Sequence, residues 1–371
     1  MSKLVLKNTS INMVQFVFSA VLVFLMTPLY VRVLGDYDYG VWQIVAALLG
    51  YASFFDLGFQ PTVSRFVARF TGRDQKSRLR VLVGTSVTIV TLLSLIPALG
   101  FAVWAIFGYG SLGEEVTPDI RYRWVLIIIA ITLPIAFLNL IFTSVVEGLQ
   151  AYTARTIINI TGSLIFIIGF VTLHDRSDPL VLMAALNLIM ALIKVAALGF
   201  FITSMARQPV QLLPLQFSVR LSRRLFRFGS KSFAQGVAGS VEGRMDTLII
   251  GAAIGPGSVI FYSLPQVLSA YIKTVSETLS HAFLPALSNL REDSEVDAVR
   301  HLTMTGSQLV LAIVTPLAIG IICLGSGFLS LWIGPGYGEK ATVLIPILSA
   351  YFFIPMLTPV VGRYFTCLLY T

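Results

Sequence analysis

Residues 123–147 have the sequence RWVLIIIAITLPIAFLNLIFTSVVE, and no charged side chain interrupts the run from Trp124 to Val146. About 20 consecutive, mostly apolar residues are enough for a helix to cross the hydrocarbon core of a bilayer. The segment is therefore predicted to be a transmembrane helix. Pro134 is expected to kink it unless neighbouring helices satisfy the freed carbonyl.

The rest of the chain has the same apolar character. Of its 371 residues, 56% are hydrophobic and 12% are charged, and the mean hydropathy is +0.85. Soluble domains carry about 25% charged residues, so this chain has too few polar side chains to cover a water-facing surface. An all-α integral membrane protein is predicted. The net charge of +8 resides in particular loops, which indicates membrane topology, and no nucleic-acid partner is expected.

About ten transmembrane helices are predicted by the same length rule. They are expected near 10–30, 40–69, 81–107, 123–147, 156–173, 180–204, 230–252, 258–284, 302–331 and 341–365. Lys3 and Lys7 precede the first, which is too long for the apolar core of a signal peptide. About fifteen Lys and Arg residues then fall in cytoplasmic segments and about five in outer loops. This bias predicts a multi-pass inner (plasma) membrane protein with a cytoplasmic N-terminus.

The longest predicted cytoplasmic loop is strongly basic. Its residues Arg220, Arg224, Arg227 and Lys231 follow one another at helical spacing and so share one face. An amphipathic helix on the inner leaflet is predicted. Two interpretations remain open: a topology anchor, or a platform that attracts anionic lipid headgroups.

Two segments of the chain repeat one pattern at an offset of about 220 residues. VLGDYDYGVWQIVAALLGYAS and AIGPGSVIFYSLPQVLSAYIK align so that Gly35 matches Gly255 and Trp42 matches Tyr262. Each follows a predicted span and opens another with a glycine turn and an aromatic residue. Paired halves of this kind are common in secondary transporters, with the substrate site between them.

The repeat predicts three parts of the chain. Residues 1–204 form an N-terminal six-helix bundle, 205–229 a cytoplasmic basic connector, and 230–371 a C-terminal bundle with four helices present. Two repeats of about 220 residues would need about 440, so two pseudo-symmetric bundles are expected, the second incomplete. We expect that the chain is truncated by about two helices. The alternative is that the repeat is imperfect.

Four segments together resemble the polysaccharide-repeat-unit flippases of the multidrug/oligosaccharidyl-lipid/polysaccharide exporter superfamily. They are 27–70, TPLYVRVLGDYDYGVWQIVAALLGYASFFDLGFQPTVSRFVARF; 145–160, VVEGLQAYTARTIINI; 227–255, RFGSKSFAQGVAGSVEGRMDTLIIGAAIG; and 329–337, LSLWIGPGY. The matching elements of the first are Pro28, Leu34, Gly35, Tyr39, Gly40, Asp56, Leu57, Gly58 and Arg65.

The resemblance implies a transporter built from two helical bundles, without a nucleotide site. Its implied activity is to flip a polyprenyl-pyrophosphate-linked oligosaccharide, a polysaccharide or lipopolysaccharide repeat unit, from the cytoplasmic to the outer leaflet by alternating access. The implied partners are that lipid-linked oligosaccharide, membrane lipids and polysaccharide polymerase machinery. No cofactor and no metal are expected.

Charged residues inside predicted spans are the candidates for function. Each costs about 2.5–3.5 kcal/mol on insertion scales and therefore usually faces a cavity or a partner. In SVEGRMDTLIIG (240–251), Glu242 and Asp246 are four residues apart and share a helical face. Two neighbouring carboxylates do not both ionise cheaply in a low dielectric, so the pair is predicted to take up and release a proton. The alternative is a static ion-pair network.

Two further carboxylates are candidates for ion coupling. Glu277 lies four residues after Lys273, so an intrahelical pair is the alternative for both. Asp56 precedes Gly58 and Pro61, where a long helix is expected to break, and capping of the following segment is its alternative role.

A diphosphate headgroup requires a cationic patch. The arginine fork binds oxyanions through two parallel hydrogen bonds, and lysine supplies a point charge. The candidates for binding this part of the substrate are Arg65, Lys194, Arg244 and Lys273.

Several activities are excluded or placed second. The sequence contains no GxxxxGK[ST] and no HExxH, and the predicted outer loops are too short for a membrane glycosyltransferase or polymerase site, so no enzyme is expected. The runner-up is a cation/drug antiporter of the same superfamily, whose cavity should be acidic and aromatic. An inactive truncated membrane protein, or a non-transporting scaffold, is the third interpretation.

Overall fold

The computed structural model describes residues 3–52, 58–112, 119–205, 210, 216–227, 244–281, 283 and 296–360. Throughout these ranges the regular structure is helical, which confirms the all-α prediction. The chain forms two compact units, Met1–Gly257 and Ser258–Thr371. The two bundles joined by a connector at 205–229 were predicted from the sequence repeat and not from compactness, so that division stays a prediction.

The first helix, α1 (Lys3–Ala52), contains a kink at Gly35. The backbone there has φ 72° and ψ 175°, a conformation that glycine adopts without the strain a Cβ would bring. Two helical segments therefore meet at Gly35, which agrees with the separate helices predicted near 10–30 and 40–69. Without an intervening loop, one glycine changes the direction of the chain.

A short amphipathic helix, α2 (Phe59–Thr71), follows a second special glycine. Gly58 has φ 71° and ψ 24° and begins α2 from the left-handed region. Arg65 and Arg69 occupy its exposed side. Its buried side consists of Phe59, Thr62, Val63, Phe66, Val67 and Phe70. A continuous helix over 40–69 is therefore wrong, while the predicted break near Gly58 is confirmed.

Four long helices complete most of the first unit. They are α3 (Lys76–Phe107), α4 (Ile120–Gly148), α5 (Tyr152–Leu173) and α6 (Pro179–Phe200), which confirm the helices predicted from 81 to 204. Asp119 and Asp178 cap α4 and α6 by accepting 2.9 Å hydrogen bonds from the backbone amides of Arg121 and Val181. Pro179 fits the first turn of α6, where its missing amide hydrogen is not needed.

Helix α4 lies at the centre of the first unit and packs against α2, α3 and α6. Several of its apolar side chains, among them Val125, Leu126 and Ile141, are fully buried. In a membrane span these side chains stabilise the unit through van der Waals packing between helices, because lipid provides no hydrophobic driving force for their association. The helix therefore forms the rigid framework around which the other helices of this unit are placed.

Part of the basic connector packs on α3 and α2. Residues 219–227 are helical, as predicted for an amphipathic segment, and Leu225 is fully buried. The Ser218 amide donates a 3.1 Å hydrogen bond to Thr85 Oγ1, and the rings of Phe226 and Phe59 meet edge to face.

A short helix, α7 (Met245–Ala253), packs against α1. The approach is close: a Cβ built on Gly40 would lie 1.8 Å from the carbonyl oxygen of Pro256. One built on Gly50 would overlap the guanidinium of Arg244. Only glycine fits at these two positions of α1 without movement of the neighbouring chain.

The second unit contains most of α8 (Pro256–His281), with α9 (Val296–Trp332), α10 (Pro335–Ala341) and α11 (Leu344–Phe353). Helices α9 and α11 pack together, with Gly325 against Ile345. The hydroxyls of Ser269 and Ser349 share a 3.3 Å hydrogen bond between α8 and α11.

Six helices among the described residues are long and apolar enough to cross a membrane. They are Met13–Tyr51, Lys76–Phe107, Ile120–Gly148, Tyr152–Leu173, Pro179–Ser204 and Arg300–Trp332. The pair Pro335–Ala341 and Leu344–Leu357, bent by 59°, is a seventh if it forms one broken span. The protein is therefore a multi-pass membrane protein.

Candidate functional site

The first unit encloses a cavity of about 520 Å³, here called the main cavity, between α1, α2, α4, α5 and α6. Its polar lining consists of Gln60, Thr132, Asn139, Thr143, Asn159, Asn187 and Lys194. The other lining residues are apolar, apart from the indole of Trp42. Among the described residues of this wall, Lys194 is the single charged one.

The lysine reaches the cavity because a glycine faces it. A Cβ on Gly162 of α5 would come within 3.0 Å of Lys194 Cε and 2.9 Å of Met190 Cε, so the absent side chain leaves room for both. The aliphatic stem of Lys194 thus packs on α5, as lysine stems do on apolar surface, while its charge requires a polar partner or a wet cavity.

Amide side chains supply the other polar groups. Asn139 Nδ2 donates a 2.9 Å hydrogen bond to the carbonyl of Ala191, which joins α4 to α6. Asn139 Oδ1 is buried without a hydrogen-bond partner in the described part of the chain. Asn187 donates to the Met183 carbonyl at 2.9 Å and retains an acceptor oxygen. The cavity therefore combines one cation with hydrogen-bonding groups of both kinds.

A second cavity of about 270 Å³, here called the side groove, lies between α1 and α5 with α6 behind it. It is lined by Leu22, Val23, Met26 and Tyr30 of α1, by Gly162, Ser163, Phe166 and Ile167 of α5, and by Asn187, Met190 and Lys194 of α6. The three residues from α6 also line the main cavity. Lys194 consequently stands in the wall between the two cavities.

An ion cluster joins three helices at one end of this unit. Arg121 Nη1 donates to Asp178 at 2.8 Å and to Asp38 at 3.2 Å, and the Tyr122 hydroxyl donates to Asp38 at 2.9 Å. Burial alone would raise the pKa of the Asp119 carboxyl. The backbone amide and the guanidinium of Arg121 donate hydrogen bonds to this carboxylate, and together with the positive charge of Arg121 they hold its pKa below the usual value. The cluster ties together α1 and the first turns of α4 and α6.

A smaller cluster lies where α4 ends and α5 begins. The guanidinium of Arg155 pairs with the carboxylate of Glu147 and donates a 3.3 Å hydrogen bond to Gln15 of α1. Thr156 donates to the same Gln15 oxygen at 3.0 Å. Helices α1, α4 and α5 are thereby joined at the opposite end of α4 from Arg121.

The other predicted cations lie elsewhere on the described structure. Arg65 is on the exposed side of α2, and Arg244 lies against Gly50 of α1. Lys273 is half-buried on α8 in the second unit. Of the predicted cations, Lys194 alone lines the main cavity, and the roles of all four stay predictions.

Two of the four predicted ion-coupling residues, Asp246 and Glu277, lie within the described part of the chain. Asp246 lies in the first turn of α7 and is half-buried, and Glu277 is exposed on α8. Asp56 and Glu242 lie outside the described residues. The predicted pair of Glu242 with Asp246, and the capping role of Asp56, are therefore not tested.

The asparagines of the main cavity were not among the site residues predicted from the sequence. Asn139, Asn159 and Asn187 each stand between two leucines or isoleucines, in LNL, INI and LNL. An amide isolated inside a span is a signal for a polar interior, since it needs a partner away from lipid. This signal is weaker than that of a charged residue inside a span.

The model of the polysaccharide biosynthesis protein family matches residues 5–291. The chain belongs to that family. A relative from Shigella flexneri, to which O-antigen transport is provisionally assigned, is 24% identical over 354 residues, covering 94% of this chain and 81% of the relative. The uncharacterized membrane protein EpsK of Bacillus subtilis is 20% identical over 342 residues, covering 91% and 67%.

The fold resembles that of a multidrug resistance MATE family transporter of the MOP superfamily, solved in an inward-facing conformation. The TM-score is 0.68 at 14% identity, over 92% of this chain and 81% of that one. This likeness shows a common fold. The predicted family is confirmed, and with it a transporter and not an enzyme.

Proposed function

We propose that this protein flips a polyprenyl-pyrophosphate-linked oligosaccharide, the repeat unit of a polysaccharide or lipopolysaccharide, from the cytoplasmic to the outer leaflet of the inner (plasma) membrane. Membership in the polysaccharide biosynthesis protein family and the relative assigned to O-antigen transport support this substrate class. The observation that carries the proposal is Lys194, the cation in the amide-lined wall of the main cavity.

The chemistry of the lining suits such a substrate. A lysine ammonium provides a point charge and three donors for a phosphate oxygen. Asparagine amides can both donate to and accept from sugar hydroxyls, and Asn139 Oδ1 is a buried acceptor without a partner among the described residues.

The proposed mechanism is alternating access between two pseudo-symmetric bundles comprising about ten transmembrane helices, with the N-terminus in the cytoplasm. Arg65, Arg244 and Lys273 remain proposed contacts for the diphosphate head, each in its own part of the chain. Coupling to an ion gradient is assigned to Asp56, Glu242, Asp246 and Glu277. The polysaccharide polymerase machinery would receive the product at the outer leaflet.

A cation/drug antiporter is the second candidate, because the fold match is to a multidrug transporter. A cationic substrate needs an acidic or aromatic wall. The single charge on the described wall of the main cavity is positive, which favours the anionic substrate.

The proposal is tested by measuring lipid-linked oligosaccharide in each leaflet of a strain that lacks this gene. We expect accumulation on the cytoplasmic leaflet, cleared by the wild-type chain and not by Lys194→Met. Lys194→Arg keeps the charge and should retain part of the activity. If the wild-type chain leaves the distribution unchanged but expels cationic dyes, the antiporter takes the place of the flippase.

A further inference from the structure

Helices α1 and α5 run side by side in the same direction and touch at two fixed points. Thr156 donates a 3.0 Å hydrogen bond to Gln15 at one of them. At the other, the rings of Tyr30 and Phe170 meet edge to face with centroids 5.0 Å apart. At 1.5 Å of rise per residue, these contacts are about 21 Å apart along α5 and about 22–23 Å apart along α1. The side groove opens between them.

Small residues keep the groove open, and apolar side chains surround its mouth. Gly162 has no side chain and Ser163 has a short one, so α5 leaves a depression opposite Leu22 and Met26 of α1. The flanking large apolar side chains are exposed: Val21, Leu25, Leu164, Ile165 and Ile168. Because both helices are candidate membrane spans, these side chains face hydrocarbon. The groove therefore opens toward the acyl chains of the bilayer.

The back of the groove is polar and adjoins the main cavity. Asn187, Met190 and Lys194 line both cavities, so the lysine is the boundary between an apolar groove and an amide-lined interior. Three environments thus follow one another: hydrocarbon, a single cation, and a polar cavity. A lipid with an anionic head and a polar group beyond it has the same three parts in the same order.

We infer that the side groove is a lateral passage for the isoprenoid chain of a lipid-linked pyrophosphate. The chain lies between α1 and α5 and extends into the bilayer, the diphosphate contacts Lys194, and the sugars occupy the main cavity. This inference rests on the proposed function and adds the route by which the lipid reaches the site. The arrangement lets the long apolar chain stay in hydrocarbon while only the head enters the protein.

Photo-cross-linking tests where the chain lies. p-Benzoylphenylalanine is placed at position 166, in the groove, or at position 168, where Ile168 is 61% exposed and outside it. The probe is a radiolabelled polyprenyl pyrophosphate with a short oligosaccharide, in nanodiscs of phosphatidylethanolamine and phosphatidylglycerol. We expect cross-linking at 166 that unlabelled probe competes away, and unsaturable labelling at 168.

Two matched glycine variants test the contact with Lys194. Gly162→Ala places a Cβ 3.0 Å from Lys194 Cε and 2.9 Å from Met190 Cε, whereas Gly169→Ala places one 2.9 Å from Leu186 Cδ2, away from both cavities. Both neighbours are flexible side-chain ends, so both variants should fold. Gly162→Ala should weaken saturable cross-linking about tenfold, equivalent to one lost hydrogen bond to a charged group, and Gly169→Ala should leave it unchanged.

The outcomes separate this inference from the proposed function. If flipping depends on Lys194 but position 166 shows no saturable cross-link, the lateral passage is wrong and the flippase stands. If phosphatidylglycerol alone competes equally with the probe, an ordinary phospholipid occupies the groove and the passage is also wrong. Saturable cross-linking without any flipping would support the passage as a lipid site and overturn the transport proposal.

Discussion

The guanidinium of Arg121 donates a 2.8 Å hydrogen bond to the carboxylate of Asp178, the residue that also caps α6. The same nitrogen contacts Asp38 of α1 at 3.2 Å. One side chain of α4 therefore holds the beginning of α6 and the middle of α1 in register. These are three of the helices that form the main cavity.

Arg121→Gln should destabilise the first unit by about 1–2 kcal/mol, because three carboxylates, those of Asp38, Asp119 and Asp178, lose a charged donor. Asp38 suffers most, since its side chain is only 13% exposed. The measurement is the shift of thermal unfolding in detergent micelles. Arg123→Gln is the matched control, because this neighbouring arginine is exposed. An equal loss in the two variants would show that the cluster contributes no specific stability.

Lys194→Met should raise the thermal stability while it abolishes flipping. Methionine keeps the length of the side chain and packs on Gly162 and Met190, and it removes a charge from a largely apolar helix. Opposite effects on stability and activity are expected where a residue serves function. A variant that loses both stability and activity would instead assign Lys194 a structural role.

Gly40→Ala should destabilise the contact between α1 and the beginning of α8 by about 1–3 kcal/mol. Its Cβ would lie 1.8 Å from the Pro256 carbonyl, a backbone atom that cannot rotate away. Gly100→Ala in α3 is the control, since a Cβ there meets nothing within 4 Å. The stability of both variants is measured as the fraction of protein that remains monodisperse after heating. If Gly40→Ala lost no more stability than Gly100→Ala, the contact between α1 and Pro256 would contribute nothing to stability.

Glu147 and Arg155 should be energetically coupled by about 1.5–3 kcal/mol, since their side chains are only 17% and 20% exposed. A double-mutant cycle with Glu147→Gln and Arg155→Gln measures this coupling from unfolding midpoints. Pairing Glu147→Gln with Arg176→Gln, an exposed arginine beyond the far end of α5, should give no coupling. Equal coupling energies in the two cycles would show that the coupling comes from the change in net charge and not from the contact between Glu147 and Arg155.

The long helices could be predicted from sequence because each is specified locally. Ile120–Gly148 is apolar along almost its whole length, so hydropathy alone finds it. The same criterion failed at 40–69, where averaging over a window conceals a change in periodicity. Beyond Gly58 the apolar residues occupy one face only, which a mean hydropathy does not register.

The site was harder to predict, because its residues meet through packing. Lys194 stood out as a lone charge among apolar neighbours, whereas Asn139, Asn159 and Asn187 are placed together only by the arrangement of α4, α5 and α6. Two of the three carboxylate partners of Arg121 lie 83 and 57 residues away in sequence. No local pattern indicates which carboxylates such an arginine will meet.

The separation of these partners also has a consequence for biogenesis. Asp38 is synthesised before Arg121, but Asp178 emerges from the ribosome 57 residues after it. Until then the arginine lacks its shortest contact to α6, so a nascent chain halted before residue 178 holds an incomplete cluster. Membrane insertion of α6 is therefore the step at which the amino-terminal helices acquire their final register.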